Sequence, residues 1–463
     1  MYGPPPDERQ VLAPVQLVDD PISYLICIGV GIVVSSAFFW KRPPQAFRYF
    51  FLILGQTIVL TAPLAVHLDT YVYGSFPTID KEGSLLFYLD GVHERMIFHP
   101  FLSPTDPSAR LIGVHIGHLW VTAFFDLFLT PFGAMNAQGL LYPALGWWTM
   151  WLLLREVCRD ARIAFLLGFP FGMGLHVFRD LNWYTIEKSA IFWIPLFSWS
   201  LLKAWRDGGK WRKAPAAIFL TMTWMNLYLG MVSAVLGACA LFSMALVVIR
   251  NRAVHVEFRR VLHACTLCSL WVLPLIIWQW ALMKGGPEIG TPEQFLWERA
   301  ALDGFSLVPF QWNRLEIHRA LNLVGVGLAI FGVFRCWKDP RVRFATFTGL
   351  ILAIISIGPI LLPGPILNPF YLLIRDVVPG FWRVAKPEVF FHGTWMLMLV
   401  IASIELKRMA TRGWWMLYVI FIIGWLFMVR THPAYPPMTL PQNSHLSPTW
   451  ADDVFGEPDL PSE

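Results

Sequence analysis

Six carboxylates and three histidines crowd the stretch HLDTYVYGSFPTIDKEGSLLFYLDGVHERMIFHPFLSPTDPSAR: Asp69, Asp80, Glu82, Asp90, Glu94 and Asp106 with His67, His93 and His99. An acid held partly desolvated at a membrane face has its pKa raised toward the range of a general base. Paired acids can instead hold a divalent cation, magnesium or manganese, that clamps a phosphate. The plainer alternative is a solvated loop, where single acids are ordinary. Asp80, Asp69 and Glu82 are the candidates for chemistry.

Three further groups could serve the same reaction. HVFRDLNWYTIEKSAIFWIPL brings Asp180, Glu187 and Lys188 close to apolar runs, where they could position a hydroxyl or a phosphate or form interfacial ion pairs. GPILNPFYLLIRDVVPGFWRVAKPEVFFH sets Arg375, Arg383 and Lys386 among aromatics and prolines. Such cations could stabilise a departing phosphate or simply reach lipid phosphates. His115 and His118 share a helix face, with Asp126 two turns beyond His118; they could hold a metal, move a proton, or hydrogen-bond within a bundle.

The elements that would position these groups are apolar. The 463 residues are 56% hydrophobic and 14% charged, with a mean hydropathy of +0.53. That composition predicts an integral membrane protein, and many runs reach the roughly 17–25 residues that cross a hydrocarbon core as helix. The expected fold class is all-α: a polytopic bundle of about 12 spanning helices with a large first outer loop containing non-spanning helices. Runs fall near 22–40, 48–66, 138–154, 163–177, 189–205, 214–230, 232–249, 261–283, 320–334, 344–362, 393–406 and 414–429, with one more over 111–131. The domain layout is a tail over 1–21, a transmembrane domain over 22–429, and a Pro-rich tail over 430–463.

Basic residues set the orientation. Clusters occur at Lys41, Arg42 and Arg48, at Arg155–Arg162, at Lys203–Lys213, at Arg250–Arg260, at Arg335–Arg343 and at Lys407–Arg412. The positive-inside rule puts them all on the cytoplasmic side. Three apolar runs lie between the first cluster and the second, so one of them must not cross. The segment 111–131, interrupted by His115, His118 and Asp126, is expected to be re-entrant or interfacial. Residues 67–137, 178–188, 284–319, 363–392 and both termini then lie outside the cytoplasmic membrane. The net charge of +5 sits mostly in short loops and reports orientation, with no nucleic-acid partner implied.

Other signatures are missing from the sequence. There is no Walker-type phosphate loop, no GxGxxG after a strand, no HExxH and no GxSxG, which argues against nucleotide hydrolysis and dinucleotide chemistry. Any donor would have to be carried in the lipid. Cys265 and Cys268 form a CxxC inside an apolar run with no second pair, as packing cysteines do. The first residues lack the basic region of a signal peptide, so the first run is expected to remain as a span.

The layout resembles the GT-C class of multi-pass membrane glycosyltransferases, with an early span, a large acidic first outer loop and a short second one. Three stretches carry the resemblance: LTPFGAMNAQGLLYPALGWWTMWLLLREV, NWYTIEKSAIFWIPLFSWSLLKAWRDGGKWRKA and NPFYLLIRDVVPGFWRVAKPEVFF. It implies a polyprenyl-phosphate sugar as donor and a glycan, lipid or protein as acceptor. By the same resemblance Asp80, with Asp69 as competitor and Glu82 beside it, would act on the acceptor. Asp180 or Glu187 would fill the second-loop acidic position, and Arg383 the arginine after the PGF turn. The chain departs from the family in having Asp80-Lys81-Glu82 where an adjacent acid pair is usual, and in an additional span at 22–40.

Overall fold

A computed structural model of the protein describes residues 21–62, 64–66, 68, 71–73, 116–129, 131–174, 177, 189–251, 254–284, 318–358, 368–377, 389–409, 418–420, 422–423 and 439–441. These residues are helical apart from one short strand pair. In chain order they form α1 (Pro21–Ser36), α2 (Gln45–Leu60), β1 (Tyr71–Tyr73), α3 (Ile116–Asp126), α4 (Pro131–Cys158), α5 (Ala161–Gly172), α6 (Trp193–Arg206) and α7 (Ala214–Met225). There follow α8 (Leu227–Arg250), α9 (His255–Lys284), α10 (His318–Cys336), α11 (Pro340–Ser356), α12 (Pro369–Val377), α13 (Phe390–Arg408) and β2 (Thr439–Pro441).

Among the described residues, four stretches are long and apolar enough to cross a membrane: Pro21–Phe39, Leu227–Ile249, His255–Trp278 and Phe390–Arg408. The chain is therefore a helical membrane protein. Three of the four are peripheral, with only 17–22% of their apolar window buried, whereas that of α13 is 83% buried. The large apolar side chains that the outer helices expose are mostly Leu, Ile, Val and Phe, as hydrocarbon contact demands. Around α13 pack α5, α10 and α11, with α4 and α6 completing the core.

Close approach of backbones holds the bundle, since lipid removes the hydrophobic drive between helices. A Cβ on Gly31 of α1 would lie 2.6 Å from the Gly55 carbonyl of α2, and one on Gly55 would strike Ser35. The same device joins α4 to α5, where a Cβ on Gly172 would collide with the Trp147 amide nitrogen. The indole nitrogens of Trp147 and Trp151 bridge that hairpin, donating to the carbonyls of Phe165 (2.7 Å) and Ala161 (3.0 Å).

Helix ends follow local chemistry. Asp160 caps α5 by accepting from the amides of Arg162 and Ile163, after Arg159 turns the chain at a φ of 54°. Asn226 ends α7 and caps α8, accepting from Tyr228 and Leu229. The chain doubles back there, because Ser233 Oγ donates to Met222 Sδ at 3.3 Å. The sequence reading put this boundary at residue 231. The apolar run is continuous through the turn, so hydropathy cannot find it, but a capping asparagine can.

Candidate functional site

The basic clusters converge on one end of the bundle. Near the first, Trp148 Nε1 donates to the Ala46 carbonyl at 2.9 Å, and Tyr49 stacks on Trp151. At the C-terminal end of α4, Glu156 receives Lys203 Nζ at 2.9 Å and Arg206 Nη1 at 3.4 Å. Arg260 donates to the carbonyls of Trp205 and Arg206, and Arg341 to that of Val157. Arg335 pairs with the fully buried Glu405 at 3.2 Å, and Arg408 donates to the Arg335 carbonyl at 2.6 Å. Cations near helix C-termini are favoured by the exposed carbonyls there.

This fixes where the other ends lie. Helix α2 leaves the basic end and α4 returns to it, so the chain between them starts and finishes at the far end. Leu64 is buried there, and Asn136 Nδ2 donates to the Leu68 carbonyl at 2.7 Å. A buried neutral ladder stands beside it, in which Gln138 Nε2 donates to Thr122 Oγ1 and Tyr142 Oη donates to Gln138 Oε1 at 2.9 Å. Strand β1 pairs antiparallel with β2, Tyr71 opposite Pro441 and Tyr73 opposite Thr439. Residues 71–73 are thus bound to residues 439–441.

Two of the other stretches that the sequence sets outside, 178–188 and 363–392, are rooted on touching helices. Tyr142 of α4 meets Phe192, just beyond 178–188, with ring centroids 5.4 Å apart. Trp395 of α13 donates to the Pro170 carbonyl of α5, joining the root of 178–188 to that of 363–392. Asn368 pins α12 to the end of α11, donating to the carbonyls of Ile354 (2.8 Å) and Gly358 (2.9 Å) and accepting from the Tyr371 amide. Arg375 sits half-buried in the last turn of α12.

Helix α3 has 11 residues in the described chain, about 16 Å of helix against a hydrocarbon core of about 30 Å. Its first turn meets the tip of the α7–α8 hairpin. A Cβ on Gly117 would lie 2.8 Å from the Met225 backbone, and the rings of Trp120 and Trp224 are 6.3 Å apart. Helix α7, with 12 residues, is equally short.

Of the residues the sequence put forward, Asp69, Asp80, Glu82, His115, Asp180, Glu187, Lys188, Arg383 and Lys386 lie outside the described residues. Arg375 and Asp126 lie within them, and His118 is placed as a position on α3. Eight residues separate His118 from Asp126, about 12 Å along the axis and wider than the one-turn spacing with which a helix holds an ion. No group of three metal-ligating side chains occurs among the described residues. The Asn136–Gln138–Tyr142 set was not singled out from sequence, although two amides in an otherwise apolar helix are a readable signal. Also missed were Asn368 and the buried Glu405.

No protein-family model matches the chain, and no curated protein matches it at a significant level.

Proposed function

We propose that the protein is a membrane glycosyltransferase of GT-C type, moving a sugar from a polyprenyl-phosphate donor to a hydroxyl acceptor on a glycan, lipid or protein. The observation that supports this is the rooting of the three outer stretches 67–137, 178–188 and 363–392 on touching helices at the end opposite the basic clusters. By the positive-inside rule that end is the outer face of the cytoplasmic membrane, and both termini lie there. The short α3, with its first turn against the α7–α8 tip, fits a re-entrant segment within the first outer loop. On this reading the shorter apolar helices complete the set of about 12 crossings, with half-length pieces sharing them.

In the reaction Asp80, or its competitor Asp69 with Glu82 adjacent, takes the proton of the acceptor hydroxyl. The acceptor oxygen bonds to the anomeric carbon as the bond from that carbon to the phosphate oxygen breaks. The phosphate leaves with the electron pair and is stabilised by Arg383, Lys386 and Arg375. Asp180, Glu187 and Lys188 orient the two substrates. One base and preorganised cations suffice, because the leaving group departs as an anion.

The test is transfer of radiolabelled sugar from purified polyprenyl-phosphate donors to cell-envelope acceptors by protein in proteoliposomes. Asp80→Asn should lower turnover about 10²–10⁴-fold with the fold intact. Full activity in both Asp80→Asn and Asp69→Asn removes the base assignment. One observation favours a transporter instead: two half-length helices, α3 and α7, meet within the bundle, as broken helices do around transport sites. Substrate counterflow without covalent transfer would decide for that reading.

A further inference from the structure

The basic end carries a cavity that the glycosyl-transfer reading does not use. It has a volume of about 370 Å³, within the roughly 300–1,000 Å³ typical of ligand sites. Its wall is almost wholly apolar, with Leu201 of α6, Met244 of α8, Phe344 of α11 and Val400 of α13 among its lining. Its polar lining includes two guanidinium groups, those of Arg206 and Arg341. On the α8 side, Val247 lines it and is 46% exposed, and its neighbours Phe242 and Leu246 also face outward, so the slot gives onto the surface that meets hydrocarbon.

We infer that this slot binds an anionic phospholipid of the leaflet on the basic side, with one acyl chain between α8 and α11 and the phosphate at Arg206 and Arg341. Charge decides the occupant. Around the rim stand Lys203, Arg206, Arg260 and Arg341, against Glu156, Asp207 and Asp339. Cations prevail, and Arg343 and Lys338 add to the excess on the exposed side. Both rim arginines are already oriented. Arg206 is held by the Glu156 carbonyl at 2.9 Å, and Arg341 by the Val157 carbonyl at 2.8 Å and by Asp339. A headgroup therefore meets prepositioned donors, while the chain fills a space that water would not wet.

The experiment uses the full chain in nanodiscs with phosphatidylglycerol or phosphatidylcholine carrying a photoreactive group at the end of one acyl chain. Crosslinked peptides are mapped by mass spectrometry. Phosphatidylglycerol should label the peptides of α6 and α8 that line the slot at least about fivefold more than phosphatidylcholine, since each basic residue near the surface contributes on the order of 1 kcal/mol. Unlabelled phosphatidylglycerol should compete the label away. Ala240→Trp, which fills the slot, and Ser243→Trp should each abolish slot labelling while leaving labelling of the exposed face of α1 unchanged. Arg206→Gln with Arg341→Gln should erase the headgroup preference. Equal labelling by the two lipids, or undiminished labelling in whichever tryptophan variant elutes as folded protein, overturns the proposal. Glycosyl transfer is not measured, so its presence or absence leaves this result unaffected.

Discussion

At the basic end Glu156 holds Lys203 and Arg206, and Arg335 reaches a fully buried Glu405, whereas at the far end Gln138 links Thr122 to Tyr142 without a charge. Both regions bury polar atoms in a greasy bundle, yet they solve the problem differently. Charges are used where several helix C-termini offer carbonyls and partners are close. Neutral amides are used at the opposite end, where Asn136 and Gln138 meet Leu68, Thr122 and Tyr142. A neutral ladder fixes α3 to α4 without burying a charge. The difference teaches that one end is held by ion pairs and the other by neutral amides that anchor the chain entering and leaving the bundle.

Breaking the charged side should have the largest effect. Arg335→Leu leaves Glu405 buried without its ion partner and should cost about 3 kcal/mol, measured by reversible unfolding in mixed micelles. Gln138→Leu removes the amide that links Thr122 to Tyr142 and should cost about 1–2 kcal/mol in the same assay. If Gln138→Leu proves the more costly of the two, the contrast between the ends is lost. Asn226→Ala removes the cap of α8, and about 1 kcal/mol is expected, read as a lowered melting temperature.

The smallest effect is a pH dependence. Asp339 accepts from the Arg341 guanidinium and amide, which hold its carboxyl below the ordinary carboxylate range. With the folded pKa lowered, its stabilising contribution is complete above the unfolded value near 4 and is lost as pH falls through the folded one. The melting difference between wild type and Asp339→Asn should hold steady near neutrality and shrink in acid. A difference that grows in acid would refute the assignment.

Much of the basic end was legible in the sequence, because a cluster of Arg and Lys between apolar runs has one cheap location. The ion pairs were not, since nothing in spacing says that Glu156 meets Lys203 across two helices. The run read as 214–230 and 232–249 divides instead at Asn226, where a short side chain turns the chain at no cost in hydropathy. Gly230 lies in α8 against Thr223, where a larger residue would not fit. Helix α4 runs from 131 to 158 rather than 138 to 154, because Asn136 and Gln138 find partners and no longer oppose burial. The candidate site was read from residue types alone. Of its members, the described chain places Arg375 and Asp126, while Asp80, Asp69 and Arg383 fall outside it.

The pairing of β1 with β2 has a consequence for how the molecule is made. Tyr71–Tyr73 is synthesised early, but its hydrogen-bonding edge finds its mate only when synthesis has reached Thr439–Pro441. Every intervening helix must be synthesised before that clasp can shut. Strand β1 is thereby coupled to synthesis of the last part of the chain, and a ribosome that stalls short of residue 439 leaves it unlatched.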